Sequence, residues 1–131
     1  MTRDEAMVTS KLYSIAGKGN LLHGLMTRRP FRAPHYSASL AAIIGGGNLD
    51  NIMPGEISLA QNGVLFLDEF AQMPKSVMEA LRGPLEDRKV VISRLRSKVE
   101  YPALSLVRER TLFPSAVHDG AFSAVLRLAS D

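Results

Sequence analysis

Two adjacent carboxylates, Asp68 and Glu69, follow directly on an apolar run in the stretch "NGVLFLDEF". An aspartate in this position can hold a hydrated magnesium ion, because magnesium keeps several waters and takes one or two protein carboxylates beside substrate phosphates. A neighbouring glutamate can orient or deprotonate a water that attacks a terminal phosphate. The alternative is that the pair caps the following helix, and the dipeptide alone does not decide between the two interpretations.

The elements on either side of the pair favour the nucleotide interpretation. The apolar run at residues 64–67 shows no alternation, which predicts a strand buried on both faces of a parallel sheet. Ligands of open parallel sheets bind beyond the carboxyl ends of the strands, so Asp68 is expected where a ligand would lie. Pro74 suits the first turn of the next helix. That helix has an apolar stripe, and Gly83-Pro84 is expected to kink or weaken its end.

Elsewhere the pattern predicts two further helices and a hairpin. Thr2 and Glu5 have the spacing of a capping box at the start of a helix over residues 2–16. "SASLAAII" predicts a short helix capped by Ser37 or Ser39, and the glycine-rich residues 45–55 are expected to be a mobile loop.

Residues 89–101 alternate with period two, which indicates a hairpin. Its basic edge carries Arg94, Arg96 and Lys98. These side chains could contact DNA phosphates, or they could simply protect an exposed edge strand.

Composition restricts the class of protein. The 131 residues suffice for one domain, and the absence of cysteine excludes disulfides and thiolate metal sites. The net charge of +3 permits contact with phosphates without establishing it. No apolar run is long enough to cross a membrane and the start lacks the pattern of a signal peptide, so we expect a soluble, cytoplasmic protein with no membrane partner.

A phosphate-binding loop of the GxxxxGK[ST] type would be needed to complete a nucleotide site. "AGKGN" at residues 16–20 lacks the upstream glycine and the final serine or threonine, and the glycines at 45–47 are not followed by a lysine. The sequence therefore carries one half of such a site.

Four blocks carry a resemblance to a known family: "RRPFRAPHYSASLAAIIGGG", "PGEISLAQNGVLFLDE", "EALRGPLEDRKVVISR" and "EYPA". They resemble the magnesium-chelatase subunit I-like AAA+ ATPase family, in its ComM/YifB branch, over residues 2–103. The resemblance implies an α/β fold, namely a partial AAA+ P-loop NTPase core with a Walker B strand, flanking helices and a β-hairpin. We expect residues 1–103 to form this partial domain. Residues 104–131 are expected to be a divergent tail that arose from a frame change or a truncated gene.

The resemblance also implies roles for individual residues. Asp68 matches the Walker B aspartate that holds Mg²⁺ through water, and Glu69 matches the glutamate that activates the attacking water, so both belong to the site for ATP. The loop at 45–55 and the hairpin at 89–101 match elements that face the pore of the hexameric ring, where Arg94, Arg96 and Lys98 would contact DNA.

Departures from the family pattern limit what the chain is expected to do alone. Tyr36 and Gln61 stand where the family usually has histidine. The Walker A loop, the sensor asparagine and an arginine finger have no match, and neither Arg108 nor Arg110 is at a position that allows the last assignment. We therefore expect no ATP turnover by this chain, and residues 64–67 are expected to lack their usual neighbouring strand.

Three functions remain open from the sequence. The first is a fragment of an ATPase whose parent couples ATP hydrolysis to DNA branch migration or remodelling. The second is a non-catalytic module that binds DNA or protein, or a truncated product without function. The third is an unrelated metal-carboxylate enzyme built on Asp68 and Glu69, which ranks last because no further acidic ligands stand at a recognisable spacing.

Overall fold

The structure is a computed structural model that describes residues 1–19, 24–48, 51–69, 72–94 and 97–110. Four helices and seven strands are found in these ranges. In chain order they are α1 (Arg3–Ile15), β1 (Phe31–Arg32), α2 (Leu40–Ile44), β2 (Gly45–Asn48), β3 (Asn51–Pro54), α3 (Glu56–Leu59), β4 (Val64–Asp68), α4 (Lys75–Asp87), β5 (Lys89–Arg94), β6 (Ser97–Pro102) and β7 (Leu106–Arg110).

The three strands β1, β4 and β7 form a parallel sheet with β4 in the centre. On one side Arg32 of β1 lies opposite Leu65, and on the other side Val107 of β7 lies opposite the same leucine. All five residues of β4 have a partner on β7. The expectation that residues 64–67 would lack a neighbouring strand is therefore corrected, because the first residues of the expected divergent tail supply one.

Only one face of β4 is fully buried. Leu65 and Leu67 are inaccessible to solvent, whereas Val64, Phe66 and Asp68 on the other face are half-buried. The prediction of a strand buried on both faces was wrong. The core cluster lies on the Leu65 side of the sheet. That cluster includes buried residues of α2, α3 and α4.

The two long helices follow the patterns read from the sequence. Thr2 caps α1, and the reciprocal hydrogen bonds with Glu5 complete the predicted capping box. The short helix α2 is capped by Ser39. Helix α4 buries its apolar stripe of Val77, Leu81 and Leu85.

Helix α4 is not interrupted at Pro84 and continues to Asp87. Proline removes one backbone hydrogen bond inside a helix, but burial of the stripe on both sides of it outweighs that loss. Arg88, the C-cap residue, adopts a left-handed conformation with φ 59°. The expected weakening therefore does not end the helix before its apolar stripe is complete.

The segment expected to be a mobile loop contains an antiparallel hairpin, β2–β3. Its first strand is made largely of glycine, so it shows no alternation that sequence analysis could detect. A side chain at Gly47 would collide with the carbonyl oxygen of Asn51, and Gly47 has a φ of +127°. Glycine is required here because only a residue without a β-carbon allows the two strands to approach this closely.

The predicted hairpin at residues 89–101 is confirmed as β5–β6. It packs against β2–β3, since the buried hydroxyl of Tyr101 donates a hydrogen bond to the carbonyl oxygen of Ile52 at 2.6 Å. Burial raises the pKa of Tyr101 above its ordinary value. No helix in the described ranges is both long and apolar enough to span a bilayer.

Candidate functional site

Asp68 is the last residue of the central strand and Glu69 follows it directly. Both side chains are half-buried. The predicted position of the pair is therefore found: the two carboxylates lie at the carboxyl end of a parallel strand that is paired with β7 as far as Asp68. Open α/β sheets bind ligands at this edge.

The backbone turns sharply immediately after the strand. Glu69 has a φ of 54°, in the left-handed region that residues other than glycine rarely adopt. Its N–H donates to Oδ1 of Asp68 at 3.1 Å, and its carbonyl oxygen accepts from the N–H of Gln72 at 2.9 Å. Pro74 then takes the N-cap position of α4. The order of strand, carboxylate pair, turn and helix is thus built from residues that are close in sequence.

The donor set at this edge suits a hydrated magnesium ion better than a fully protein-ligated metal. Within the described ranges no group of three or more His, Cys, Asp or Glu side chains could enclose an ion. Asp68 and Glu69 offer hard carboxylate oxygens, which magnesium accepts in ones or twos together with water and phosphate. The residues present fit that ion on the condition that phosphate and water supply the remaining ligands.

At the opposite end of β4 lies a polar network that sequence analysis missed. Asn62 has a φ of 63°, and its side-chain amide donates to the carbonyl oxygen of Glu5 at 3.3 Å and to the hydroxyl of Thr9 at 3.2 Å. Its own carbonyl oxygen accepts from Arg29 at 2.8 Å. An Asn-Gly dipeptide is a common turn signal, but nothing in the sequence indicates these partners.

Gln61, a departure from the family pattern, takes part in the same network. Its side-chain oxygen accepts a hydrogen bond from the N–H of Leu104 at 2.5 Å, and its carbonyl oxygen accepts from the buried hydroxyl of Thr9 at 3.3 Å. Gln61 therefore connects the start of β4 to the segment that leads into β7. Glutamine can fill this position because its amide oxygen accepts without needing a particular protonation state.

A half-buried ion pair fixes the edge strand β1. The guanidinium of Arg32 makes two bonds to Glu56, Nε to Oε2 at 2.5 Å and Nη2 to Oε1 at 2.8 Å. The hydrogen bonds that Arg32 donates to the Glu56 carboxylate raise the pKa of Arg32 above its ordinary value. Arg32 is thus engaged within the chain, as is Arg29, while Arg28 is exposed.

The predicted basic edge of the hairpin is not one surface. Arg94 lies opposite Ser97 and Lys98 lies opposite Ser93, and successive residues of a strand alternate between faces. Arg94 and Lys98 therefore belong to opposite faces of β5–β6. The Arg94 guanidinium donates to the carbonyl oxygens of Gly47 and Ser93, at 3.4 and 3.0 Å. Arg96 lies outside the described residues.

Comparison with known proteins gives a consistent family. The family model described as magnesium chelatase, subunit ChlI, matches residues 1–121. The competence protein ComM of Haemophilus influenzae is 48% identical over 103 residues, covering 79% of this chain and 20% of its own length. The protein YifB of Escherichia coli is 40% identical over 121 residues, covering 92% of this chain and 23% of its own length.

A third relative, Rv2897c of Mycobacterium tuberculosis, is 44% identical over 106 residues, covering 79% of this chain and 20% of its own length. The chain thus spans about a fifth of the length of the curated relatives it matches. The family match extends past residue 103, where the sequence blocks end. On this match, the chain belongs to the magnesium chelatase ChlI family, with ComM and YifB among its relatives.

Proposed function

We propose that this chain carries the Walker B half of an ATPase site, in which Asp68 holds Mg²⁺ through water and Glu69 activates the attacking water. The observation that supports the proposal is the position of Asp68 at the carboxyl end of the central parallel strand, with the second carboxylate in the next residue. A carboxylate pair used only as a helix cap would not need this place in the sheet. Here the cap of α4 is Pro74.

The two carboxylates would share the chemistry of phosphoryl transfer. Magnesium, when bound, neutralises charge on the phosphates of ATP. Asp68 accepts hydrogen bonds from the water that it holds, and Glu69 accepts a proton or hydrogen bond from the attacking water. The half-buried environment strengthens both interactions relative to bulk water.

The proposal does not extend to ATP turnover by the chain on its own. Backbone N–H groups of a GxxxxGK[ST] loop normally hold the phosphates, and no such pattern occurs in the sequence. We propose that the parent protein supplies this loop and assembles as a hexameric ring. In that protein ATP hydrolysis would be coupled to branch migration or remodelling of DNA.

Nuclear magnetic resonance of the isolated chain tests the site. Adding Mg²⁺ with a non-hydrolysable ATP analogue should shift the amide resonances at the end of β4, and Asp68→Asn should reduce the shifts at least several-fold. Asp87→Asn is the matched control, because Asp87 is an exposed carboxylate at the end of α4. Equal shifts in the Asp68→Asn and wild-type chains, or none at all in the wild type, would contradict the proposal.

ATP hydrolysis provides a separate check. The isolated chain should release no phosphate above background, and Glu69→Gln should leave that background unchanged. Phosphate release that disappears in Glu69→Gln would show that the chain completes the site without a Walker A loop, contrary to our expectation.

Binding of DNA is the part of the proposal that depends on the hairpin. Because Arg94 and Lys98 lie on opposite faces, a duplex that contacts one of them directly would not contact the other in the same way. At low salt, Arg94→Ala and Lys98→Ala should therefore weaken binding to different degrees. If both variants lose the same DNA affinity, or if the wild type shows no salt-dependent binding, this hairpin is not the DNA contact.

A further inference from the structure

The conformation of Glu69 needs an explanation that the Walker B assignment does not provide. Its φ of 54° is costly for any residue with a β-carbon, and such conformations persist only where neighbouring contacts impose them. Glycine would adopt this conformation without strain. The chain has a glutamate there, so the contacts that hold its backbone also decide where its carboxylate is directed.

Two hydrogen bonds hold the backbone of Glu69 from either side. The N–H group donates to Oδ1 of Asp68, and the carbonyl oxygen accepts from the N–H of Gln72. The second bond joins two backbone groups and is independent of side-chain identity. The first requires an oxygen acceptor on the side chain of residue 68, and it is the contact that a substitution can remove.

We propose that Asp68 is also a positioning residue for Glu69: its Oδ1 holds the Glu69 N–H and so keeps Glu69 in the left-handed conformation before any ligand arrives. The consequence of this positioning for catalysis rests on the ATPase site proposed above. One carboxylate then serves two purposes, because the group that holds the hydrated cation also orients the residue that activates water. The side chain at position 68 must therefore be an acceptor even where no cation is bound.

Two substitutions of Asp68 should give different results. Asparagine keeps a side-chain oxygen at the place of Oδ1 and loses the negative charge, whereas alanine loses both. A left-handed residue has a short distance between its amide proton and its α-proton, which gives a strong intraresidue nuclear Overhauser effect. This effect at Glu69 should be retained in Asp68→Asn and reduced to the level of neighbouring extended residues in Asp68→Ala.

The experiment uses the full chain without nucleotide or metal. Asp87→Ala, which removes an exposed carboxylate on α4, should leave the Glu69 signal unchanged. Unaltered amide resonances of Leu65 and Val107 show that the sheet is intact in each variant. Retention of the Glu69 signal in Asp68→Asn, together with its loss in Asp68→Ala, shows that the side-chain oxygen positions Glu69. If the negative charge were what is needed, the Asn and Ala variants would behave alike.

The outcomes also separate this inference from the proposed ATPase site. A left-handed Glu69 in Asp68→Ala, or its loss in Asp68→Asn, overturns the positioning role even if Mg²⁺ and nucleotide bind as expected. Conversely, if the wild type fails to bind nucleotide but the Glu69 signal is retained with Asn and lost with Ala, positioning stands and the ATPase proposal fails. If Asp68→Ala also loses the sheet, the Glu69 signal in Asp68→Asn is the remaining test: its retention supports the positioning role and its loss overturns it.

Discussion

At its amino-terminal end β4 is bound by side chains from distant parts of the chain, whereas the contacts described after its carboxyl-terminal end are local. The amide of Asn62 reaches α1 and that of Gln61 reaches the segment before β7. Glu69, in contrast, is held by Asp68 and Gln72, its neighbours in sequence. The two flanking residues thus differ: Asn62 is held by side chains from distant parts of the chain, and Glu69 by its neighbours in sequence, while β4 between them is paired with β7 along its whole length.

The carboxylate pair therefore follows a strand whose position is set by contacts elsewhere in the fold. Long-range hydrogen bonds from side chains hold the residues before β4, and pairing with β7 holds the strand as far as Asp68. Asp68 and Glu69 are both half-buried. Left-handed residues occur at both ends, Asn62 and Glu69, which makes the two positions directly comparable.

Truncation of Leu65 should have the largest effect on stability, because it removes core packing of β4, the strand to which both ends belong. Leu65 is fully buried and lies between β1 and β7. Leu65→Ala should lower the free energy of unfolding by about 3 kcal/mol, the usual range for a buried leucine in a packed core. Urea denaturation followed by circular dichroism measures it.

The same truncation at Leu40, which is 44% exposed, is the control and should change stability by less than about 0.5 kcal/mol. Similar losses at the two positions would mean that β4 is not the central element of the core in solution.

Asn62 tests the fixed end of the strand. Asn62→Ala removes two hydrogen bonds from the side-chain amide and leaves a β-carbon at a φ of 63°, so stability should fall by about 2 kcal/mol. Asn62→Gly relieves the backbone strain but not the lost bonds, and should cost about 1 kcal/mol. Thermal or urea unfolding distinguishes the two variants. If glycine were as good as asparagine, the long-range bonds would not be what holds this end.

The elements that were predicted correctly are those whose signals are local. The Thr2 and Glu5 spacing, the stripe of α4 and the apolar run of β4 each indicate their structure within about one turn or one strand. The strand of three glycines carries no such signal, since glycine has no side chain to alternate. The placement of Arg94 and Lys98 on opposite faces was also missed, because the relation between the faces of β5 and β6 depends on the length of the turn between them.

For the site, the sequence predicted the place of Asp68 and Glu69 but not the conformation of either end of β4. The apolar run followed by two carboxylates is a contiguous pattern, and the structure has it at the end of the central strand. The bonds of Asn62 join residues that are 53 and 57 positions apart, and no periodicity reports such a contact. The left-handed φ of Glu69 was likewise not visible, because glutamate has no preference for it.

Tyr101 tests whether a long-range hydrogen bond also stabilises the fold away from β4. Tyr101→Phe leaves the buried carbonyl oxygen of Ile52 without its donor, and should lower the free energy of unfolding by about 1 kcal/mol. Tyr36→Phe, at a half-buried tyrosine, is the control and should cost less. An equal loss of stability in Tyr36→Phe and Tyr101→Phe would mean that the hydrogen bond from Tyr101 to Ile52 adds no stability of its own.

The pH dependence of the wild type gives a second measurement on Tyr101. Burial raises its pKa in the folded state above the ordinary 10.0, so folding favours the neutral phenol. This contribution is fully present below the unfolded pKa and is lost as pH rises through the folded pKa. The wild type should therefore lose stability above about pH 10 more steeply than Tyr101→Phe. Parallel curves would show that the hydroxyl is exposed to solvent.

Glu69→Gly should have the smallest effect and the opposite sign. Glycine adopts a φ of 54° without strain, so the substitution relieves a cost of about 1 kcal/mol, part of which is offset by the greater freedom of glycine in the unfolded chain. A net gain of about 0.5 kcal/mol is expected. Glycine should thus stabilise one end of β4 while it destabilises the other, because Asn62 makes long-range bonds through its side chain and Glu69 is held through its backbone. A loss of stability in Glu69→Gly would mean that the Glu69 side chain itself supports the fold, and the contrast between Asn62 and Glu69 would not hold.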